Sequence, residues 1–101
     1  MKIAVTYLVG VIFQHCEHTE FCKIYDIENT DIVKTEVVST TGSGHGALAQ
    51  FLHEHSVDTL ICGGIGGGAQ MALSQAGIKL YGGVTGKADA AVNALLNNKL
   101  N

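Results

Sequence analysis

The chain has 101 residues, 47% of them hydrophobic and 15% charged, and a formal net charge of −3. This composition argues against disorder and predicts a single globular domain over residues 1–101. All six basic residues are lysines, whereas nucleic-acid-binding proteins usually carry arginine-rich basic patches, so no nucleic-acid partner is expected. No apolar run is long enough to cross a membrane and no secretory leader is recognisable. We therefore expect a cytoplasmic protein without a membrane partner, whose three cysteines stay thiols.

The first half of the chain is dominated by patterns typical of β-strands. Residues 2–6 form a short apolar run that predicts a buried strand. Residues 7–20 are predicted as a loop that can hold a short strand at 11–13. Two further β-rich runs, 21–27 and 32–38, flank a polar, turn-prone segment and are predicted to form an antiparallel hairpin.

The second half alternates between helical and strand patterns. Apolar spacing predicts helices at about 46–55, 69–76 and 88–95, and short apolar runs predict strands at 59–62 and 78–81. Alternating strands and helices with right-handed crossovers build a parallel sheet covered on both faces. The predicted fold is therefore α/β, with three α/β/α layers and a mixed five-stranded sheet that has one antiparallel strand, as in the ribonuclease-H-like motif.

Glycine is concentrated in three clusters, at residues 42–46, 63–68 and 82–86. Each cluster follows a predicted strand and precedes a predicted helix, so parallel strands would place all three on the carboxyl edge of the sheet, where α/β proteins bind ligands. Glycine lets backbone approach a ligand closely, and amides at a helix N-terminus attract anions. Tight strand-to-helix turns are the simpler explanation for any single cluster. The candidate cofactor-binding residues are Gly42, Gly44, His45, Gly63, Gly64, Gly66, Gly67, Gly68, Gly82 and Gly83.

Imidazoles and a thiol are concentrated at residues 15–18, where His15, Cys16 and His18 offer ligands suited to zinc, copper or iron. Exposed loop histidines without a metal explain the same spacing equally well. Cys16 lies in a polar segment, so we expect it to be exposed and more reactive than Cys22 and Cys62, whose strand positions favour packing. The candidate metal ligands are His15, Cys16, His18 and His45.

The sequence shows no recognisable catalytic motif. The serines lack the context of a nucleophile elbow, and the first predicted strand lacks the carboxylates that two-metal nuclease chemistry requires. The segment at 64–69 fits G-x-G-x-x-A, but the strand that follows ends without the acidic residue that binds a ribose. We therefore expect a binding protein and not an enzyme.

Two segments carry a family resemblance: residues 12–20 read IFQHCEHTE and residues 61–69 read ICGGIGGGA. With residues 1–5, 23–26, 42–46 and 77–83, they make nearly the whole chain resemble the dinitrogenase iron-molybdenum cofactor biosynthesis family. The resemblance implies a ribonuclease-H-like fold and the binding or carrying of iron–sulfur clusters that contain molybdenum, or of their precursors. The family commonly has an aromatic residue and a glycine where Cys16 and Glu17 stand, and an aromatic residue where Cys22 stands.

Two functions without catalysis remain open from the sequence, beside a third, a small transferase, that no residue demands. The first is a non-enzymatic carrier of an anionic iron–sulfur or iron–molybdenum-type cluster, cradled by glycine amides, with cluster donor or acceptor proteins as partners. In that case the extra thiols could strengthen binding or merely replace packing residues, and Glu17 would repel the anion. The alternative is a metal-free regulatory domain that binds phosphate or another small anion.

Overall fold

The computed structural model describes residues 1–40 and 47–100. These residues form six strands, β1 (Lys2–Leu8), β2 (Val11–Ile12), β3 (Phe21–Glu28), β4 (Asp31–Ser39), β5 (Thr59–Ile61) and β6 (Lys79–Tyr81). They also form three α-helices, α1 (Ala47–Glu54), α2 (Gly67–Gln75) and α3 (Ala88–Leu96). The predicted α/β class and the order of elements are confirmed.

The strands form one mixed sheet in the order β4-β3-β1-β5-β6, with β2 paired to β1. Strands β1, β5 and β6 are parallel, whereas β3 is antiparallel to both β1 and β4. Strand β4 therefore has the same direction as β1. The C-terminal ends of β1, β4, β5 and β6 consequently lie on one edge of the sheet, called the carboxyl rim below.

The prediction of five strands with one antiparallel strand is wrong, because the described residues already form a six-stranded sheet in which both β2 and β3 are antiparallel to β1. Strand β5 pairs only with residues 3–5 of β1, which leaves the end of β1 open on that side. Val9 and Gly10 have φ angles of 43° and 86°, and this tight turn folds β2 back onto the end of β1. Valine seldom adopts positive φ, so the sequence did not signal this turn. The ribonuclease-H-like assignment stays a prediction.

Both faces of the sheet carry a hydrophobic core. The core between the sheet and helices α1 and α2 includes Ala4, Ile24, Leu52, Leu60 and Leu73. The core beneath α3 includes Ile3, Val5, Tyr25, Ile61 and Val92. Neighbouring strand residues thus point to opposite cores, as strand geometry requires for a sheet covered on both sides. Within the described ranges, no helix is long and apolar enough to traverse a bilayer.

Asp89 fastens α3 to the sheet. Its Oδ1 accepts a hydrogen bond from the Tyr25 hydroxyl at 2.5 Å and one from Lys23 Nζ at 2.9 Å. The Tyr25 hydrogen bond, followed by that of Lys23, lowers the pKa of the Asp89 carboxyl. The charged form of Asp89 is therefore the form that the folded protein favours.

Candidate functional site

The carboxyl rim brings two glycine clusters and the 7–20 segment together. The Gly64 amide donates to Gln14 O at 2.8 Å, and the Cys16 amide donates to Gly64 O at 3.0 Å. The second and third clusters are joined by the Gly83 amide, which donates to Gly63 O at 2.8 Å. The prediction that the glycine clusters share one rim is confirmed for residues 63–68 and 82–86, and the 7–20 segment lies on the same rim. The first cluster, with Gly42, Gly44 and His45, lies outside the described residues.

A cavity of about 520 Å³ opens on this rim. Its walls are glycine backbone, two aliphatic side chains and one amide side chain, contributed by Gly63, Gly64, Ile65, Gln70, Leu80, Gly82 and Gly83. No charged side chain is among these lining residues. A ligand in the cavity would therefore meet backbone dipoles and apolar surface instead of ion-pair partners. The sequence did not single out Ile65, Gln70 or Leu80, because aliphatic and amide side chains carry no distinctive ligand chemistry.

Gly63 is required by the close approach of the 7–20 segment. A Cβ atom at Gly63 would lie 2.6 Å from Gln14 Cα, a contact that real side chains do not make. Gln14 in turn donates from Nε2 to Ile12 O at 3.0 Å and to Val84 O at 3.2 Å. Gln14 thus links three segments of the rim, a role that its place in the sequence did not indicate.

The N-terminus of α2 is contacted by a carboxylate of the protein itself. The Gly66 amide donates to Glu17 Oε2 at 3.1 Å, and a Cβ at Gly66 would lie 2.8 Å from the same oxygen. Gly66 has an ordinary φ of −79°, and a Cβ there would meet only the end of the flexible Glu17 side chain, which can move aside. A negative charge is favourable at this end of a helix. In the folded chain Glu17 thus takes the acceptor position at the Gly66 amide, and the binding of an external anion by these glycine amides stays a prediction.

Gly67 and Gly68 begin α2 beside this contact. Both are exposed, and a Cβ built on either would meet nothing within 4 Å. Amides in the first turn of a helix have no acceptor within the helix. These two positions therefore present backbone donors to the solvent at the rim.

The two histidines of the 15–18 segment are exposed, and neither lines the cavity. The backbone of His15 forms a parallel bridge with Gly64, which places this residue beside the cavity wall. The ring of His15 also meets the ring of Phe13 edge-on, with centroids 5.9 Å apart.

The expectation that Cys16 is exposed is wrong. Cys16 is fully buried in a 3₁₀ turn (Cys16–His18) and packs in the core that also holds Cys22 and Cys62. The hydrogen bond from its amide to Gly64 O fixes this turn against the sheet, where the small thiol fills core space. A hydrogen bond between the Cys16 and Cys62 thiols raises the pKa of Cys16 and lowers that of Cys62. Burial raises the pKa of the Cys22 thiol to about 12.

This burial removes Cys16 from the surface that a ligand would contact. In the part of the chain that the structure describes, no group of three or more His, Cys, Asp or Glu side chains is placed to hold a metal ion. The described rim therefore offers backbone donors and single imidazoles, instead of a preformed metal centre.

Solved structures with the same fold cover almost the whole chain. PH0822 is 26% identical with a TM-score of 0.94, and the match covers 100% of this chain and 93% of that protein. The apo form of the orange protein from Desulfovibrio gigas is 24% identical with a TM-score of 0.85, covering 99% of this chain and 90% of the other. MJ0327 from Methanocaldococcus jannaschii is 19% identical with a TM-score of 0.81, covering 100% and 92%.

Among curated proteins, none matches this chain by sequence. The family model described as dinitrogenase iron-molybdenum cofactor matches residues 1–98. This match spans nearly the whole chain and agrees with the resemblance of the rim segments, so the chain belongs to the dinitrogenase iron-molybdenum cofactor family.

Proposed function

We propose that this protein binds and carries an anionic metal–sulfur cluster, or a precursor of one, in the cavity on the carboxyl rim, without catalysing a reaction. The observation that carries the proposal is the cavity of about 520 Å³, which is built mainly from glycine backbone and has no charged side chain among its described lining residues. Family membership supports the choice of an iron–molybdenum-type cluster as cargo. Proteins that donate or accept the cluster are the expected partners.

The chemistry of the wall suits such a cargo. Sulfide atoms of a cluster carry negative charge and accept hydrogen bonds, and glycine allows amides to approach them closely. The cavity also falls within the range of about 300–1,000 Å³ that small-molecule sites usually occupy. Backbone donors hold a cargo without the permanent charges that would make its release slow, which suits a carrier.

The imidazoles have a secondary part in this proposal. His15 is the candidate ligand for an exposed metal atom of the cargo, because its backbone bridges Gly64 at the cavity wall. His18 lies in the same exposed segment. Cys16 is left out of the ligand set because its side chain is fully buried.

Anaerobic reconstitution with iron, sulfide and molybdate tests the proposal. After desalting, the wild-type protein should retain metal and show visible charge-transfer absorption. A protein that retains neither would overturn the carrier function. Retention of phosphate in place of metal, without colour, would instead favour the small-anion regulatory domain.

A pair of matched variants tests the location of the site. Gln70→Glu adds a negative charge to the cavity lining, whereas Gln75→Glu makes the same change at the exposed far end of the same helix. Metal retention should fall several-fold in Gln70→Glu and stay near the wild-type value in Gln75→Glu. Equal losses in the two variants would place the bound cluster elsewhere.

A further inference from the structure

Strand β4 forms an edge of the sheet and has nine residues. In the described parts of the chain, no strand pairs with its outer side. Residues 33–37 are all exposed, including Val33 and Val37, whose exposed fractions are 53% and 51%. An edge with exposed valines, as in residues 33–37, is a template for pairing with another strand.

The hydrogen-bond pattern with β3 determines which residues of β4 face the open side. The Thr40 amide donates to Glu20 O at 2.9 Å, which continues the register that places Phe21 opposite Ser39. Residues of an antiparallel strand alternate in the direction of their backbone groups. Even-numbered residues from Thr40 back to Lys34 therefore bond toward β3, and Thr35 and Val37 direct their N–H and C=O groups outward.

This alternation allows a self-complementary register. When two copies of β4 meet antiparallel about a two-fold axis at Thr35, the two threonines exchange backbone hydrogen bonds. Lys34 of each copy then lies opposite Glu36 of the other. The neighbouring registers that the alternation permits place Lys34 opposite Lys34, or Glu36 opposite Glu36. Only the Thr35-centred register thus opposes unlike charges, which favour cross-strand pairing.

Charges on the neighbouring strands extend the same pattern. Lys2 Nζ contacts Asp26 Oδ1 at 2.6 Å, and Asp26 lies opposite Lys34. Lys2, Asp26 and Lys34 thus lie side by side across the sheet with alternating charges, and Glu36 from a second copy would continue the alternation. The register between β3 and β4 shifts at Asp26/Ile27, so the regular part of the edge begins at Lys34 and contains all the charged pairs.

We propose that β4 pairs with β4 of a second copy of this chain, giving a two-fold homodimer with a continuous sheet centred on Thr35. Because the two copies of β4 are antiparallel, the two carboxyl rims lie at opposite ends of the joined sheet. Both cavities stay open to cargo. The interface is independent of what the cavity binds.

Analytical ultracentrifugation of the full chain over a concentration series tests the proposal. The wild-type protein should pass from the 10.6 kDa monomer to a dimer as its concentration rises. K34E and E36K each create like-charge pairs in the proposed register, so each should weaken dimerisation by about tenfold or more. The double variant K34E/E36K exchanges the charges and should restore dimerisation, and an equimolar mixture of the two single variants should form a heterodimer.

Each result bears on the proposal directly. A wild-type protein that stays monomeric over the whole series overturns it. A dimer that all three variants leave unchanged also overturns it, because the interface would then lie elsewhere. Lys34 and Glu36 are both exposed in the monomer, so circular dichroism should find every variant folded.

Discussion

Replacing Glu17 by glutamine should lower the stability of the free protein and strengthen its binding of anions. In the folded chain, Glu17 Oε2 accepts the Gly66 amide at 3.1 Å, at the N-terminus of α2. The carboxylate thus occupies a position that an anionic cargo would also favour. Glutamine keeps the shape of the side chain and removes its charge, so the variant isolates the electrostatic part of this contact.

The expected magnitudes are modest and opposite in direction. A carboxylate at a partly exposed helix N-terminus contributes about 0.3–1 kcal/mol, and its charge strengthens the hydrogen bond, so about 1 kcal/mol should be lost. For a domain of this size, that loss lowers Tm by roughly 4–8 °C. An anion that no longer competes with an internal carboxylate worth about 1 kcal/mol should bind about fivefold more tightly.

Thermal unfolding and titration with tetrathiomolybdate, a dianion of molybdenum and sulfide, measure the two effects. Glu20→Gln is the matched control, because Glu20 is an exposed carboxylate on the same rim whose removal changes the net charge equally. An equal gain in affinity for both variants would mean that the gain comes from the change in net charge and not from the contact between Glu17 and Gly66. No gain for Glu17→Gln would refute the assignment of the α2 N-terminus to anion binding.

Three further predictions follow from contacts elsewhere in the structure. Gly63→Ala should cost about 1–3 kcal/mol in urea unfolding, because its Cβ would lie 2.6 Å from Gln14 Cα, whereas Gly67→Ala should cost nothing; equal effects would contradict the close contact. Cys16 should resist iodoacetamide in the native protein and react in urea; rapid native labelling would contradict its burial. Asp89→Asn should destabilise the protein at pH 7. Because folding lowers the pKa of Asp89, the wild-type protein is more stable than the variant above about pH 4, and this difference is lost as pH falls through the folded-state pKa. A difference in the free energy of unfolding that is as large at pH 2 as at pH 7, measured by urea unfolding, would refute this role.

The order and approximate limits of the regular elements could be predicted from the sequence. The helix predicted at about 46–55 is observed at Ala47–Glu54, and the hairpin strands differ from their predicted limits by one residue at most at each end. Hydrophobic periodicity and turn residues report local backbone geometry and burial directly, so the elements can be recognised from the sequence alone. The position of two glycine clusters on one rim followed from strand direction alone.

The contacts that shape the site were decided by the tertiary structure. Glu17 meets Gly66 across 49 positions of the chain, and Gln14 meets Gly63 across a similar separation. Cys16 is buried because its segment bonds to Gly64, although its polar neighbours predicted exposure. Polarity of neighbours describes only the local segment, whereas burial depends on what distant segments pack over it. The sequence by itself therefore determined which elements form and which edge carries the glycines, and only the folded chain decided which side chains meet there.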